Sequence, residues 1–134
     1  MTSVNRLQIA ATVRTPAVDF DFESGEFVLT GESYPEDVRS FYDEPVREFV
    51  SWLGSSDSPL RFDFRLVYFN SSSARVLMGL IDQIEDAARD GRDCHIRWFH
   101  AAEDDNIRDL GEEFGADLSA TRFELLVPDE DQTA

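Results

Sequence analysis

Three consecutive serines, Ser71, Ser72 and Ser73, stand between a strand-like segment and a strongly amphipathic helical segment. A serine at the start of a helix caps it, because its hydroxyl accepts a hydrogen bond from an unsatisfied backbone N–H group, which contributes about 1 kcal/mol. The same position favours a phosphate, because the free N–H groups and the helix dipole attract negative charge. Capping uses one hydroxyl and leaves the preceding Asn70 unexplained. The residues alone therefore leave capping and phosphorylation both open.

Other groups of reactive side chains give weaker signals. His95 and His100, with Asp93 and Glu103 nearby, could hold a metal ion, but their odd separation along a strand places the two rings on opposite faces. The chain contains no G-x-S-x-G element, no P-loop and no dinucleotide-binding glycine pattern. We therefore expect no catalytic residue, no metal site and no cofactor. A hydrolase that uses some of the many carboxylates is the alternative from another class of protein.

The charge of the chain limits its partners. Its 12 basic residues are all arginine and face 28 acidic ones, which gives a formal net charge of −16. Such a chain repels phosphate backbones and anionic lipid, so we expect neither nucleic acid nor a membrane as partner. The sequence also lacks a signal-peptide pattern and any apolar run near the roughly 18 residues that span a bilayer. These features predict a cytoplasmic protein.

The composition predicts one domain over residues 1–134, with flexible ends at about 1–13 and 128–134. Hydrophobic residues form 42% of the chain and include 11 Phe, which suffices for one packed core at this length. Cys94 is the only cysteine and falls in a predicted strand, so we expect it to be a small buried hydrophobic residue.

The periodicity of the apolar residues predicts alternating strands and helices. The N-terminal part is predicted to form a hairpin containing Val18, Phe20, Phe22 and Phe27–Leu29, then a loop at 31–37 and a short helical turn. A fresh helix follows, capped by Asp43 or Glu44 with Pro45 in its first turn, and then a strand at 60–69. The remaining predicted elements are a helix after the serines that ends near Arg89; a strand containing Cys94, Ile96 and Trp98; a short helix containing Ile107, Leu110 and Phe114; and a last strand containing Phe123, Leu125 and Val127.

This order predicts an α/β fold of two layers. An N-terminal antiparallel hairpin precedes strands that alternate with helices, so the sheet is mixed but mostly parallel, with right-handed crossovers. Charged residues at alternate strand positions predict helices on one face of the sheet and opposing charges on the other. In the strand at 60–69 the even-numbered residues from Leu60 to Tyr68 form one apolar face. Val67 and Phe69 make the other face apolar at its end, so we expect that end to be covered on both sides. The helix after the serines should present Glu85 and Arg89 to solvent as an i,i+4 pair.

Two segments resemble motifs of the SiaC family of bacterial regulatory phosphoproteins. Residues 31–37 read GESYPED and residues 67–73 read VYFNSSS. The corresponding family patterns are G-[DE]-S-Y-P-E-N and, some thirty residues later, [LV]-Y-[FL]-N-T-S-S. The resemblance runs from Thr15 through the last strand. It implies a STAS-like fold, similar to that of anti-sigma-factor antagonists, which agrees with the order of elements above.

The resemblance also implies which residues act. The phosphorylated residue of the family directly follows the motif's Asn, which is Ser71 here, with Ser72 and Ser73 as alternative acceptors. This chain has Ser71 in place of the family's Thr and Asp37 in place of its Asn. The implied partner-binding residues are Tyr34, Pro35, Glu36, Asp37, Asn70, Ser72 and Ser73.

The family circuit implies three protein partners. A cognate kinase phosphorylates the SiaC-like protein, and a PP2C-type phosphatase removes the phosphate. The unphosphorylated form binds and activates a diguanylate cyclase, which raises cyclic-di-GMP and favours biofilm growth. The alternative is an anti-anti-sigma-like partner-switch protein that acts on a kinase or another effector. In either case the chain is not an enzyme.

Overall fold

The computed structural model describes residues 5–128 and contains one six-stranded sheet with three helices. In chain order the elements are β1 (Arg6–Ile9), β2 (Ala17–Asp21), β3 (Glu26–Ser33), α1 (Val38–Ser55), β4 (Leu60–Phe69), α2 (Ser71–Arg89), β5 (Cys94–Phe99), α3 (Asp105–Gly115) and β6 (Arg122–Leu126). The strands lie in sequence order across the sheet. The first three pair antiparallel and the remaining neighbours pair parallel. The predicted mixed α/β fold is therefore confirmed.

All three helices pack on one face of the sheet around an aromatic core. Phe27 of β3 and Phe62 of β4 each meet Phe49 of α1 edge to face, with ring centroids 4.9 and 5.5 Å apart. Trp98 of β5 contacts Phe114 of α3 in the same way at 5.2 Å. Edge-to-face rings add to the free energy gained by burial, because the positive ring edge meets the negative ring face. The two-layer arrangement predicted from the alternating pattern follows from this one-sided core.

The N-terminal segment differs from the prediction. Residues 6–9 form β1 at the sheet edge, where Arg6 pairs with Asp19 of β2 at 2.9 Å and Leu7 and Ile9 pack against the core. Four residues carry too little alternation to signal a strand by themselves, and this strand exists because β2 offers an unpaired edge. Of the other residues predicted to be flexible, 5, 10–13 and 128 belong to no helix or strand, and residues 1–4 and 129–134 lie outside the described part of the chain.

Helix α1 is continuous, so the predicted break before Pro45 is wrong. The helix begins after Asp37, whose carboxylate accepts hydrogen bonds from the N–H groups of Arg39 and Ser40, and it runs through Pro45. Proline in a helix interior loses one backbone hydrogen bond and crowds the preceding turn. Here the ring of Pro45 is buried, and Phe49 one turn later is buried in the core. Tertiary packing thus holds a helix that local preference disfavours.

A β-bulge changes the end of β4. Gly31 of β3 pairs with Leu66, but the next residue, Glu32, pairs with Tyr68, so Val67 is an inserted residue. Gly31 has φ of +118°, which a residue with a side chain rarely adopts. Because the insertion shifts the alternation, Tyr68 turns to the outer face, and Val67 and Tyr68 are 62% and 50% exposed.

Two expectations about this region are therefore corrected. The end of β4 is not covered on both sides, since only Phe69 is buried there. The predicted loop at 31–37 is shorter, because β3 continues to Ser33 opposite Phe69.

The outer face of the sheet carries paired charges, as predicted, but one of them is buried. Asp63 is only 3% exposed, since the guanidinium of Arg97 covers it with two hydrogen bonds and Arg61 lies 3.6 Å away. Hydrogen bonding to Asp63 raises the pKa of Arg97. His95 is half-buried and hydrogen-bonds Glu124. Cys94 is buried as expected, and burial raises the pKa of its thiol to about 11.

Glu85 is a second charged residue that is buried although the sequence predicts it at the surface. It pairs with Arg89 at 3.0 Å as predicted, but it does not lie on a solvated face, because it is only 4% exposed. Residues 119–121, which precede β6, cover it and donate hydrogen bonds to its carboxylate. No helix within residues 5–128 has the length and apolar character needed to cross a membrane.

Candidate functional site

The start of α2 is capped by Asn70, not by a serine. The Asn70 side-chain oxygen accepts a hydrogen bond from the N–H group of Ser73 at 2.9 Å, and its backbone is extended, as a cap requires. The prediction of a serine cap is wrong, because β4 ends at Phe69 and Asn70, the next residue, already occupies the cap position. Ser71, Ser72 and Ser73 are consequently the first three residues of the helix. Their hydroxyls are free of the capping role.

The three serines differ in their access to solvent. The side chains of Ser71 and Ser72 are exposed, whereas Ser73 is fully buried. Within residues 5–128 the backbone N–H groups of Ser71 and Ser72 donate to no protein acceptor. A phosphate on Ser71 would sit at the positive end of a 19-residue helix, beside these free donors. The arrangement can therefore take a phosphate on Ser71 without disturbing the helix.

Ser73 belongs to a buried chain of three hydroxyl groups. The Ser33 oxygen lies 2.7 Å from the Ser73 oxygen and 2.6 Å from the Tyr42 oxygen. Ser33 and Ser73 are fully buried and Tyr42 is 2% exposed, so burial raises the pKa of the Tyr42 phenol. Because the three residues belong to β3, α1 and α2, their hydrogen bonds fix the start of α2 relative to both neighbouring elements.

The loop at 34–37 lies against the end of β4. The ring of Tyr34 contacts that of Tyr68 edge to face, with centroids 5.7 Å apart. The N–H group of Asn70 donates to the carbonyl of Ser33, the residue before the loop, at 3.1 Å. The two motifs, which are about thirty residues apart in the sequence, thus meet at the carboxyl ends of the neighbouring parallel strands β3 and β4.

Two acidic residues of this loop have partners of their own. Glu36 forms an ion pair with Arg14. Asp37 caps α1, and hydrogen bonds from the hydroxyl and then the backbone of Ser40 lower the pKa of its carboxyl. Asp37 therefore has a structural role that does not depend on any partner protein.

The sequence-predicted site residues divide by their position. The residues that lie at or near the protein surface, at this end of β3 and β4, are Tyr34, Pro35, Glu36, Asp37, Asn70, Ser71 and Ser72. Ser73, for which the family resemblance implies partner binding and an alternative phosphate acceptor, is buried and reaches neither a partner nor a kinase without opening of the fold. Sequence reasoning missed the roles of Ser33 and Tyr42. The available signal was a tyrosine on the apolar stripe of a helix, since a buried phenol requires a hydrogen-bond partner.

We expect Tyr42→Phe and Ser73→Ala each to lower the free energy of unfolding by about 1 kcal/mol, because each leaves part of the buried hydroxyl chain unpaired. The double variant should lose less free energy of unfolding than the sum of the two single losses, since both substitutions act on the Ser33 hydroxyl. Urea unfolding of all three variants measures this. Tyr34→Phe is the matched control, because its half-exposed ring makes no hydrogen bond within residues 5–128. Additive losses would contradict a shared network.

No cluster of three or more His, Cys, Asp or Glu side chains suited to a metal ion occurs within residues 5–128. The site is instead an exposed hydroxyl on a helix start, next to an aromatic pair and a short loop. Such a surface is suited to modification and to protein contact.

A comparison with models of known protein families identifies the family of this chain. The model of the family described as "SiaC family regulatory phosphoprotein" matches residues 9–127. The chain belongs to the SiaC family. Its membership confirms the resemblance noted in the two motifs, and the prediction of a regulatory protein with it.

Relatives of the SiaC family agree in sequence and in structure. An uncharacterized protein of Pseudomonas aeruginosa strain UCBPP-PA14 is 33% identical over 113 residues, which cover 84% of this chain and 90% of that protein. The crystal structure of apo-SiaC from Pseudomonas aeruginosa has a TM-score of 0.84 at 32% identity and covers 91% of this chain and 98% of that one. A third match, with a TM-score of 0.83 at 30% identity, comes from the crystal structure of the diguanylate cyclase SiaD in complex with its activator SiaC. It covers 90% of this chain and 99% of that one.

Proposed function

We propose that this chain is a phosphorylation-controlled adaptor that binds and activates a diguanylate cyclase while Ser71 is unphosphorylated. The observation that carries the proposal is the exposed Ser71 hydroxyl at the first position of α2, beside an asparagine that already caps the helix. The 30% identical SiaC structure, described as an activator in complex with a diguanylate cyclase, supports this choice of partner.

Phosphorylation of Ser71 would act on the partner surface and leave the fold intact. A phosphoserine carries about −1.5 to −2 charges at neutral pH and three acceptor oxygens. On the surface formed by Tyr34, Tyr68 and Asn70, the phosphate group must either stay hydrated or be desolvated by a docking protein. Both outcomes oppose a close contact, whereas the unmodified hydroxyl is small and neutral. The phosphate therefore switches binding off.

A cognate kinase and a PP2C-type phosphatase complete the proposed circuit. The kinase requires an accessible hydroxyl, which Ser71 and Ser72 offer and the buried Ser73 does not. The phosphatase requires an accessible phosphoserine, which the surface position of Ser71 provides. The level of cyclic-di-GMP, and through it biofilm growth, would follow the balance of the two enzymes.

Mass spectrometry of protein from its native host tests the proposal. Intact-mass and peptide spectra should show one phosphate on Ser71, which Ser71→Ala removes. Affinity capture with the Ser71→Ala variant should recover a diguanylate cyclase. Phosphate only on Ser72 would reassign the switch, and absence of phosphate under all growth conditions would contradict it. Recovery of a sigma-factor-regulating kinase without a cyclase would overturn the proposed output in favour of the anti-anti-sigma-like alternative.

A further inference from the structure

An open groove of about 850 Å³ runs between the end of β4 and helix α3. Its strand side is formed by Val67, Tyr68 and Phe69, and its helix side includes the apolar residues Ile107 and Leu110. Val67 and Tyr68 are exposed because the bulge in β4 turns them away from the core. Exposed apolar side chains grouped in a groove are typical of a surface that another molecule covers.

The rim of this groove is strongly acidic. The groove is lined by Asp104, Asp109, Glu112 and Glu113, and the only basic residue of α3, Arg108, lies within 3.7 Å of Asp105 and 3.4 Å of Asp109. Among residues 5–128, no basic side chain lies within ion-pair distance of Glu112 or Glu113. Asp104 keeps its own role as the cap of α3, since it accepts a hydrogen bond from Ile107.

We propose that this groove binds a cationic amphipathic helix of a partner protein, and that this docking surface adjoins the Ser71 switch at Tyr68 but does not require the unmodified Ser71 hydroxyl. An apolar floor with carboxylates along the rim is complementary to a helix whose apolar stripe is flanked by Lys or Arg. Nucleic acid and anionic lipid do not fit, because the rim would repel their phosphates. A second copy of this chain fits poorly, because each copy carries a net charge of −16 and brings the same acidic rim.

Binding in the groove should not depend on the phosphorylation state of Ser71, because of the sign of the charges. A negative group on Ser71 adds to the negative charge near the carboxyl end of β4 and does not oppose the binding of a basic ligand. Docking in the groove should therefore survive Ser71→Asp, whereas contacts that depend on Ser71 itself should not. The adaptor would remain tethered to a groove partner in both phosphorylation states.

The test uses the full chain and a fluorescent synthetic peptide of about 18 residues with leucines on one helical face and arginines beside them. Fluorescence anisotropy should show saturable binding, and a scrambled peptide of the same composition should bind at least about tenfold more weakly, because it presents no apolar stripe. Ser71→Asp should bind the designed peptide at least as tightly as the unsubstituted chain, so failure of the groove and failure of the switch are distinguishable.

Two variants locate the binding in the groove. Glu112→Arg with Glu113→Arg should weaken binding at least about tenfold, whereas Asp82→Arg with Asp86→Arg, an equal charge change on the exposed face of α2, should weaken it less than about threefold. Val67→Asp should also weaken binding although it adds a negative charge, because it places a charge among the apolar side chains on the strand side of the groove.

Equal losses for the two charge reversals, or tighter binding by Val67→Asp, would show non-specific attraction and overturn the proposal. Equal binding of the scrambled peptide would do the same. Concentration-dependent dimers that Val67→Asp abolishes in sedimentation velocity would assign the groove to a second copy instead. If the double reversal fails to fold, Val67→Asp still decides, since that exposed side chain contributes little to the core.

Discussion

Ser71→Asp is expected to bind the proposed partner, a diguanylate cyclase, more than about a hundredfold more weakly than Ser71→Ala does. A carboxylate at this exposed position must be desolvated or repelled when a protein docks over it, and a few kcal/mol of such cost changes the affinity by that factor. Aspartate carries less charge than phosphoserine, so the effect of the phosphate itself should be larger. Isothermal titration calorimetry and cyclic-di-GMP production by the cyclase measure the difference.

The effect should come from binding and not from unfolding. An acidic residue in the first turn interacts favourably with the helix dipole, so Ser71→Asp should be at least as stable as Ser71→Ala. Ser58→Asp is the matched control, because it adds the same charge at an exposed position before β4, at the opposite end of that strand from Ser71. Equal affinity of the two Ser71 variants, or an equal loss in Ser58→Asp, would refute Ser71 as the switch.

Glu85→Gln is expected to lower the free energy of unfolding at pH 7 by roughly 2–3 kcal/mol. The Glu85 carboxylate accepts hydrogen bonds from the backbone N–H groups of Ser119, Ala120 and Thr121 and from the Thr121 hydroxyl. Burial alone would raise its pKa, but these donors outweigh burial and lower the pKa from 4.5 to about 2. Glutamine keeps the shape but turns an amide donor toward groups that already donate.

The pH dependence of this loss has a definite sign. The folded chain holds the Glu85 proton less tightly than the unfolded chain, so the contribution is complete above pH 4.5 and disappears as the pH falls toward 2. Urea unfolding across this range should show the two chains converging at low pH. Asp86→Asn, at the exposed next position of α2, should change the free energy of unfolding at pH 7 by less than about 0.5 kcal/mol. A loss in Glu85→Gln that is independent of pH would rule out this explanation.

The agreement between sequence and structure is strongest where the hydrophobic pattern repeats. The apolar positions of β4 from Leu60 to Leu66 lie in the core as their alternation predicts. The apolar stripe of α2, with Leu77, Leu80 and Ile84, is likewise buried. In β4 a shift by one residue would turn every apolar side chain to the other face, and in α2 the apolar side chains recur at helical period along one stripe, so in both elements the pattern determines which face is buried.

The disagreements concern residues whose position depends on distant parts of the chain. Pro45 predicts a helix break, but burial of its ring in α1 offsets the lost hydrogen bond. Tyr68 continues the apolar alternation of β4, but the bulge opposite Gly31 turns it outward. Glu85 reads as a surface residue because its donors follow more than thirty positions later. In each case a non-local contact outweighs a local preference.

For this protein the sequence alone determined the order of strands and helices from β2 onward, the one-sided core, the regulatory family and the two motifs that form the site. Those properties follow from local periodicity and from residue types at fixed spacing, which the chain carries wherever it folds. Only the tertiary structure decided which group caps α2, which serines are accessible and how the end of β4 faces solvent. These depend on the pairing of β3 with β4 and on the buried contact of Ser33 with Ser73, forty residues apart. The Ser71 hydroxyl is free for the proposed modification because Asn70, rather than a serine, caps the helix.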